Sequence, residues 1–512
     1  MEMHRPSDTS RDTVCTRRAV LLTVAGIWLL LLAFTPPVMP KGDGSSMFAV
    51  AESIVTQGTI TVSPDLGRVG RGGQSYSAWY PLLSLVLTPF VAVGERLASI
   101  VHLPPHYMAA STALLFPALI VAANAFLTIS LALRLGATVE GALWSGVAFV
   151  FGTIALVDSR ELSADTLLAF LTVSAIYLAL GEAKKSTNLL LCLTCGLSVL
   201  AKPNGLLVGF LVAAFVLLKR RDVGSAAAAL AGSSVGLLLY LAYNDYRFGD
   251  PFFFGQPAVF KLSNIPTGLV GQLVSPGHGL FWYCPAVLSL FFLNKSILRR
   301  ADVCFILGVA AAYLLSYSAW RVWDSGWSWG PRFLIVALPG LMALTGFLDP
   351  RGHKALVLLT LAGLIVAAPT LVSNEGRVFV ETAAIGMTDQ TRDWSVTEAP
   401  ITASWGAADR TIRSSLQPEN DVSSLVRQAG LRYHSTAAEM PSLIVIAVWW
   451  WMLPAAHVPA WIGAVAALAM VLVGVGLIIR SLNIARRVDT RLESDIANMI
   501  PAPSARSASA LA

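Results

Sequence analysis

The sequence predicts an all-α polytopic membrane protein of about twelve transmembrane helices (roughly 11–13), with a long first extracytoplasmic loop that holds surface helices. Composition comes first: 512 residues, of which 55% are hydrophobic and only 13% charged, with a mean hydropathy of +0.66, carry more apolar surface than a water-soluble core can hide. Spacing comes second. The apolar residues fall in blocks of about 17 to 25, the length a helix needs to cross roughly 30 Å of hydrocarbon, and not in the alternating segments of a barrel. Third, the charge of +6 is spread over short connecting loops, where it sets orientation. No basic tract suited to nucleic acid is present.

The polar N-terminal tail, residues 1–18, holds Arg5, Arg11, Arg17 and Arg18 and is expected in the cytoplasm. Helix one, near Ala19 to Val38, then leads outward and is ended by Pro36, Pro37 and Pro40, because proline cannot continue a helical ladder. The first extracytoplasmic loop covers residues 39–107. Within it, Ser46 to Gln57 reads as an amphipathic surface helix, with Met47, Val50, Ala51 and Ile54 on one stripe. Pro81 to Val93 is either a further span or a helix in the outer leaflet. The second reading puts Lys184 and Lys185, Lys219 to Arg221, Arg299 and Arg300, and Arg351 to Lys354 all in the cytoplasm, and is favoured for that reason.

Later spans are expected near Met108–Leu133, Ala137–Val157, Thr166–Leu180, Leu189–Leu200, Leu206–Leu218, Ala226–Tyr243, Leu280–Leu293, Val303–Tyr317, Phe333–Leu348 and Ala355–Leu371. Residues 19–371 thus form one transmembrane module. Residues 372–440 are a polar extracytoplasmic region with Asp409, Arg410, Arg413, Glu419 and Asp421 among apolar positions. Residues 441–480 form C-terminal membrane helices, two short crossings broken at Pro454 to Pro459 or one crossing plus a surface helix. Arg480, Arg486, Arg487 and Arg491 favour a cytoplasmic end. Residues 481–512 are a tail, disordered from about Pro501.

The five cysteines, Cys15, Cys192, Cys195, Cys284 and Cys304, lie mostly in apolar blocks and act as packing residues. Cys192 and Cys195 form a C-x-x-C, but no second pair or histidine cluster accompanies them.

Under this topology Asp43, Asp158, Arg160, Glu161, Asp165, Lys202, Asp245, Arg247, Asp250, His278, Arg321, Asp324 and Arg332 gather at the outer helix ends. Charges beside hydrocarbon mark a functional cavity, although helix ends also meet water. Asp43 is a candidate general base at the membrane boundary, or an N-cap of the surface helix. Glu161 and Asp165 either orient a sugar hydroxyl or, with Ser163, charge and cap the returning helix. Lys202, in the turn Ala201-Lys202-Pro203-Asn204-Gly205, suits a phosphate or snorkels to the interface. Arg332 offers a bidentate phosphate fork, and the neighbouring Trp327 and Trp329 suit sugar rings or the aromatic belt.

Four segments, in order, resemble the C-type membrane glycosyltransferases. Gly42-Asp43-Gly44-Ser45-Ser46 and the helix after it are similar to the segment in which an acid precedes a surface helix. Tyr243 to Pro251 is similar to "N-x-x-R-F-G-x-P", Ser275 to Pro285 to "S-P-G-x-G-L-F-x-Y-x-P", and Trp327 to Phe333 to "W-x-x-G-P-R-Y/F". Resemblance to the protein mannosyltransferase and aminoarabinose transferase branch implies that residues 19–371 are a catalytic module. It implies a polyprenyl-phosphate-linked or polyprenyl-diphosphate-linked sugar donor, an inverting transfer to an extracytoplasmic hydroxyl of a lipid, glycan or protein, and a place in the plasma membrane. Asp43 then takes the base position, Lys202, Arg332 and Arg247 hold the donor phosphate, and Glu161, Asp165, His278 and Trp329 are candidate substrate contacts.

Two departures from the family pattern stand out. Many relatives carry adjacent acids where Asp43 is flanked by glycines, so no cofactor is expected and a divalent metal is disfavoured. The segment Trp79-Tyr80-Pro81-Leu82 stands where the branch has "H-P-P-L". The alternative function is a multi-pass transporter or lipid flippase, which calls for inverted repeats and midplane charges that the sequence does not display. A scaffold for partners at residues 372–440 would leave the ordered motifs unexplained.

Overall fold

The computed structural model describes residues 6–37, 42–102, 104–255, 259–326, 328–373, 378, 388–416, 448–450, 453 and 458–499. Trp327, Glu419, Asp421, the expected break at 454–457 and the tail from 500 onward lie outside the described residues.

Among the described residues, secondary structure is almost wholly helical. The helices are α1 (Pro6–Ala33), α2 (Asp43–Gln57), α3 (Pro81–Val101), α4 (Pro105–Ala113), α5 (Leu115–Leu135), α6 (Val139–Phe151), α7 (Ala155–Asp158) and α8 (Ala164–Ala179). They continue with α9 (Lys185–Ala201), α10 (Leu206–Arg220), α11 (Val223–Phe248), α12 (Ile265–Val274), α13 (Leu280–Tyr283), α14 (Lys295–Leu298) and α15 (Ala301–Ser318). The last are α16 (Leu338–Ala343), α17 (Pro350–Val372), α18 (Asp389–Trp394), α19 (Pro400–Leu416) and α20 (Ala460–Met499). A two-stranded hairpin, Arg68–Val69 with Ser75–Tyr76, sits in the first loop.

Among the described residues, eight helical stretches are long and apolar enough to cross a membrane, and four shorter apolar helices accompany them. Large apolar side chains face outward along them: Leu85, Leu193, Phe210, Leu238, Leu358, Ile365 and Leu472 are each more than half exposed. Such a surface would drive aggregation in water, and hydrocarbon is its natural solvent. The chain is a multi-pass membrane protein.

Contacts define two ends of the helix bundle. At one end arginines clasp helix-terminal carbonyls: Arg134 bonds the carbonyl of Tyr177, Arg220 that of Gly181 at 2.6 Å, and Arg300 that of Leu135 at 2.8 Å. Cations at these C-termini offset the negative end of the helix dipole. α20 closes the same end, where the Asp489 carboxylate caps α6 by accepting from the amides of Val139 and Glu140 at 2.9 and 2.8 Å. The other end carries Asp43, Asp165, Lys202 and Arg332.

Several expected boundaries move. α1 starts at Pro6, well inside the tail expected to precede the membrane, and stops at Ala33, before the prolines. The 280–293 block is one α-helical turn followed by a 3-10 helix from Pro285 to Phe292, because proline interrupts the ladder between them. The 333–348 block likewise alternates between 3-10 turns and α16. After the expected break, residues 460–499 form one helix of 40 residues, which runs past the expected membrane boundary at 480.

α3 meets the length and composition of a span. Its flanks are tied to α2 at both ends: Ser46 Oγ to Ser77 Oγ at 2.8 Å before it, and Glu52 to His106 at 2.7 Å after it. It therefore runs alongside the amphipathic α2.

Candidate functional site

The site is built from helix ends that the sequence terminates sharply. α2 begins at Asp43, whose carboxylate does not cap the helix. Ser45 fills that role, its Oγ accepting from the Gly42 amide at 3.1 Å. The start of α2 lies so close to the turn before α8 that a Cβ on Gly44 would stand 2.6 Å from the Leu162 carbonyl. This close approach frees the Asp43 side chain to reach across to Arg332.

Four charges then form one alternating chain. Arg332 Nη2 donates to Asp43 Oδ2 at 3.0 Å, and its Nε lies 3.9 Å from Asp165 Oδ2. Asp165 Oδ1 accepts from Lys202 Nζ at 2.6 Å. The members are 289, 37 and 167 residues apart along the chain only because α2, α8, α9 and the segment after Pro331 end at one place. Exposure rises along it: Lys202 and Asp165 are 6% exposed, Arg332 19% and Asp43 30%. Asp43 and Arg332 are thus the more exposed members, and the buried pair backs them.

Lys202 is extended, held there by Pro203, and its ammonium sits over the rings of Phe333 at 4.3 Å and Tyr317 at 5.1 Å. The Tyr317 hydroxyl points at Asp165 Oδ1 at 3.4 Å. Ser163 caps α8 by accepting from the Asp165 amide at 3.2 Å, so the capping expectation for this turn holds for Ser163 while the Asp165 carboxylate serves the ion pair.

Neighbouring groups set the local field. Tyr80, just ahead of α3, lies within electrostatic reach of Asp43, Asp165 and Arg332; burial first, then Tyr240 and the two carboxylates, hold its phenol well above the usual range. Asp158 is buried, with no hydrogen-bond partner for Oδ2 among the described residues. Burial, and then Glu161, push its carboxyl well up. Arg160 bonds the carbonyls of Phe34 and Leu371 and so ties this turn to the ends of α1 and α17.

Other expected site residues lie elsewhere. Arg247 is fully buried and bonds the carbonyls of Ser77 and Trp79 and, at 2.6 Å, Asn244 Oδ1. Its guanidinium is engaged in holding the first loop. Glu161 is half-buried. Trp329 is buried edge-on against Tyr283 at 4.6 Å and donates to Ser404 Oγ at 3.2 Å. His278 is fully buried, its Nδ1 3.3 Å from Asp393 Oδ1. Among the described residues, no group of three or more His, Cys, Asp or Glu is placed to hold a metal ion.

Sequence reading passed over Tyr80, whose signal was its place in the Trp79-Tyr80-Pro81-Leu82 segment. It also passed over Arg392 and Asp393, which join Asp324 and His278 in a second buried cluster.

No protein-family model matches the chain, and no curated protein sequence does. Among solved structures, the chain is similar to ArnT from Cupriavidus metallidurans in the apo state, at 15% identity and a TM-score of 0.48, with 90% of this chain and 77% of that one covered. It is similar to the same protein bound to undecaprenyl phosphate, at 13% identity and a TM-score of 0.47, covering 96% and 79%. It is also similar to the Archaeoglobus fulgidus oligosaccharyltransferase in the apo form, at 13% identity and a TM-score of 0.40, covering 86% and 55%.

Proposed function

We propose that the protein transfers a sugar from a polyprenyl-phosphate carrier to an acceptor hydroxyl on the extracytoplasmic side of the plasma membrane, with inversion. The observation that carries this reading is the contact of Asp43 with Arg332, backed by the buried Asp165–Lys202 pair. A carboxylate and two cations from three of the resembling or candidate segments stand in one place, at the helix ends.

In this state the base is neutralised. A donor phosphodiester entering beside Arg332 competes with Asp43 for the guanidinium: its single negative charge is shared by two oxygens that fit the fork, and a second charge develops there only as the sugar leaves. Asp43 is released toward the acceptor. The acceptor oxygen then bonds to the anomeric carbon as the bond from that carbon to the phosphate oxygen breaks. Its proton passes to Asp43, and the electron pair of the broken bond stays on the departing phosphate. Arg332 binds that charge, with Lys202 behind it, in a site partly screened from water. Attack from the face opposite the leaving group inverts the sugar.

The test is transfer from labelled polyprenyl-phosphate sugar in membranes. Asp43→Asn is expected to lower turnover by about 10²–10⁴-fold, the usual weight of a general base, with polyprenyl phosphate still bound. An Asp43→Asn protein with full turnover removes the base from the reading.

A further inference from the structure

We propose that Arg392 and Asp324 are positioning residues for Arg332: the Arg392–Asp324 ion pair clasps the loop ahead of Arg332 and sets the donor-phosphate affinity of the site. The proposal rests on the donor reading above and assigns a catalytic-module role to a segment, residues 389–416, that follows the last of the resembling motifs.

The geometry runs in one line. Arg392 Nη2 donates to Asp324 Oδ2 at 2.7 Å and to Asp393 Oδ1 at 3.1 Å, with Arg392 only 4% exposed and Asp324 12%. Directly after Asp324 the backbone enters the left-handed region twice, at Ser325 with φ 59° and Gly326 with φ 68°. A non-glycine residue there is strained by about 1–3 kcal/mol and persists only where its surroundings fix it. Here Asp324 Oδ1 accepts from the Gly326 amide at 3.3 Å, and Ser325 Oγ bonds Ser328 Oγ. The Ser325 carbonyl, turned by that conformation, lies 3.5 Å from Arg332 Nη2, the same nitrogen that reaches Asp43. A change in the Asp324 pair therefore reaches the guanidinium through a single residue.

The clasp has its own dock. Gly277 donates its amide to the Asp393 carbonyl at 3.1 Å, and a Cβ on Gly277 would come within 2.7 Å of Asp393 Cα. Tyr283 Oη donates to the Pro276 carbonyl and accepts from the Ile401 amide, each at 3.0 Å, so the start of α19 is pinned to the same segment. The Ser275 to Pro285 motif thus receives α18 and α19 on one side and, through the Tyr283 ring against Trp329, the Arg332 loop on the other. His278, fully buried and facing Asp393, adds a third partner to the cluster. Burial raises the Asp324 carboxyl, with Asp393 acting in the same direction and His278 and Arg392 opposing.

The experiment measures polyprenyl phosphate binding by the purified full chain in detergent, together with hydrogen exchange of the amides from 321 to 332. Asp324→Asn, isosteric and still able to accept from Gly326, and Arg392→Met are each expected to weaken lipid-phosphate binding about tenfold. Donor KM should rise, acceptor KM should stay, and exchange of the loop amides should quicken. In an Arg332→Met background neither change should weaken binding further, because both act through that guanidinium. Should Arg392→Met not fold, Asp324→Asn alone carries the cycle. Unchanged exchange in Asp324→Asn, or a binding loss that adds in full to that of Arg332→Met, overturns the clasp. An Arg332→Met protein that binds polyprenyl phosphate as the parent does overturns the donor reading instead.

Discussion

The Asp165 carboxylate and the Lys202 ammonium are both 6% exposed, where an unpaired charge is costly. Removing one partner of a buried pair costs about 3–5 kcal/mol, less for loss of Lys202 to the extent that Arg332 and the Tyr317 hydroxyl still face Asp165, whereas replacing both by apolar groups of similar volume is nearly neutral. Lys202→Met should therefore lower the melting temperature sharply in detergent, and Lys202→Met with Asp165→Leu should recover most of it while transfer stays lost. If the double change restores transfer as well as stability, the pair only holds helices together. Which site residues could be foreseen follows from the same physics. Asp43, Lys202 and Arg332 were legible because each is an isolated charge at the end of an apolar block. Asp165 was legible in the same ring of charges, but its pairing with Lys202 was not, because its place in the first turn of a helix already has a sufficient local explanation in the helix dipole. Arg247 looks from sequence like its neighbours in the charge ring, yet it bonds backbone carbonyls of Ser77 and Trp79, and such long-range partners leave no mark on local sequence. Arg392 and Asp393 lie in a polar stretch whose pattern points only to solvent.

Lys202 ends α9 and Arg247 lies in the last turn of α11, and these two helices cross at a seam with almost no side chains in it. A Cβ on Gly232 would stand 1.9 Å from the Cys192 carbonyl, and one on Gly236 2.3 Å from that of Gly196. Helices in lipid gain contact by such backbone approach, since hydrocarbon offers no hydrophobic force to press them together. Gly232→Val should push the helices apart, at a cost of about 1–3 kcal/mol for overpacking, and shift the tip that carries Lys202. We expect a lower melting temperature and weakened polyprenyl phosphate binding, with Gly308→Val as the control, because nothing stands within 4 Å of that position. Equal losses in the two variants would locate the effect outside the seam. Most long helices were readable from apolar block length, which the bilayer fixes. The blocks at 280–293 and 333–348 were misread as continuous helices because hydropathy registers burial and not hydrogen-bond pattern, and Pro285 and Pro339 divide them into short turns.

Two unlike ends give the molecule its polarity. Arg134, Arg220 and Arg300 clasp helix termini at one end, and Arg486 pairs with Glu140 at 2.8 Å nearby; the Asp43 to Lys202 chain occupies the other. Cationic loops remain on the cytoplasmic side during insertion, so the arginine end should face the cytosol and the site the outside. Single cysteines read this directly once Cys15, Cys192, Cys195, Cys284 and Cys304 are replaced. Gln57→Cys, exposed at the end of α2, should react with a membrane-impermeant maleimide in intact cells, and Lys219→Cys, exposed in the last turn of α10, only after permeabilisation. The reverse pattern would turn Asp43 and Arg332 toward the cytosol. An acceptor would then have to be glycosylated on that side, and the extracytoplasmic reaction would fail even if every distance in the site held.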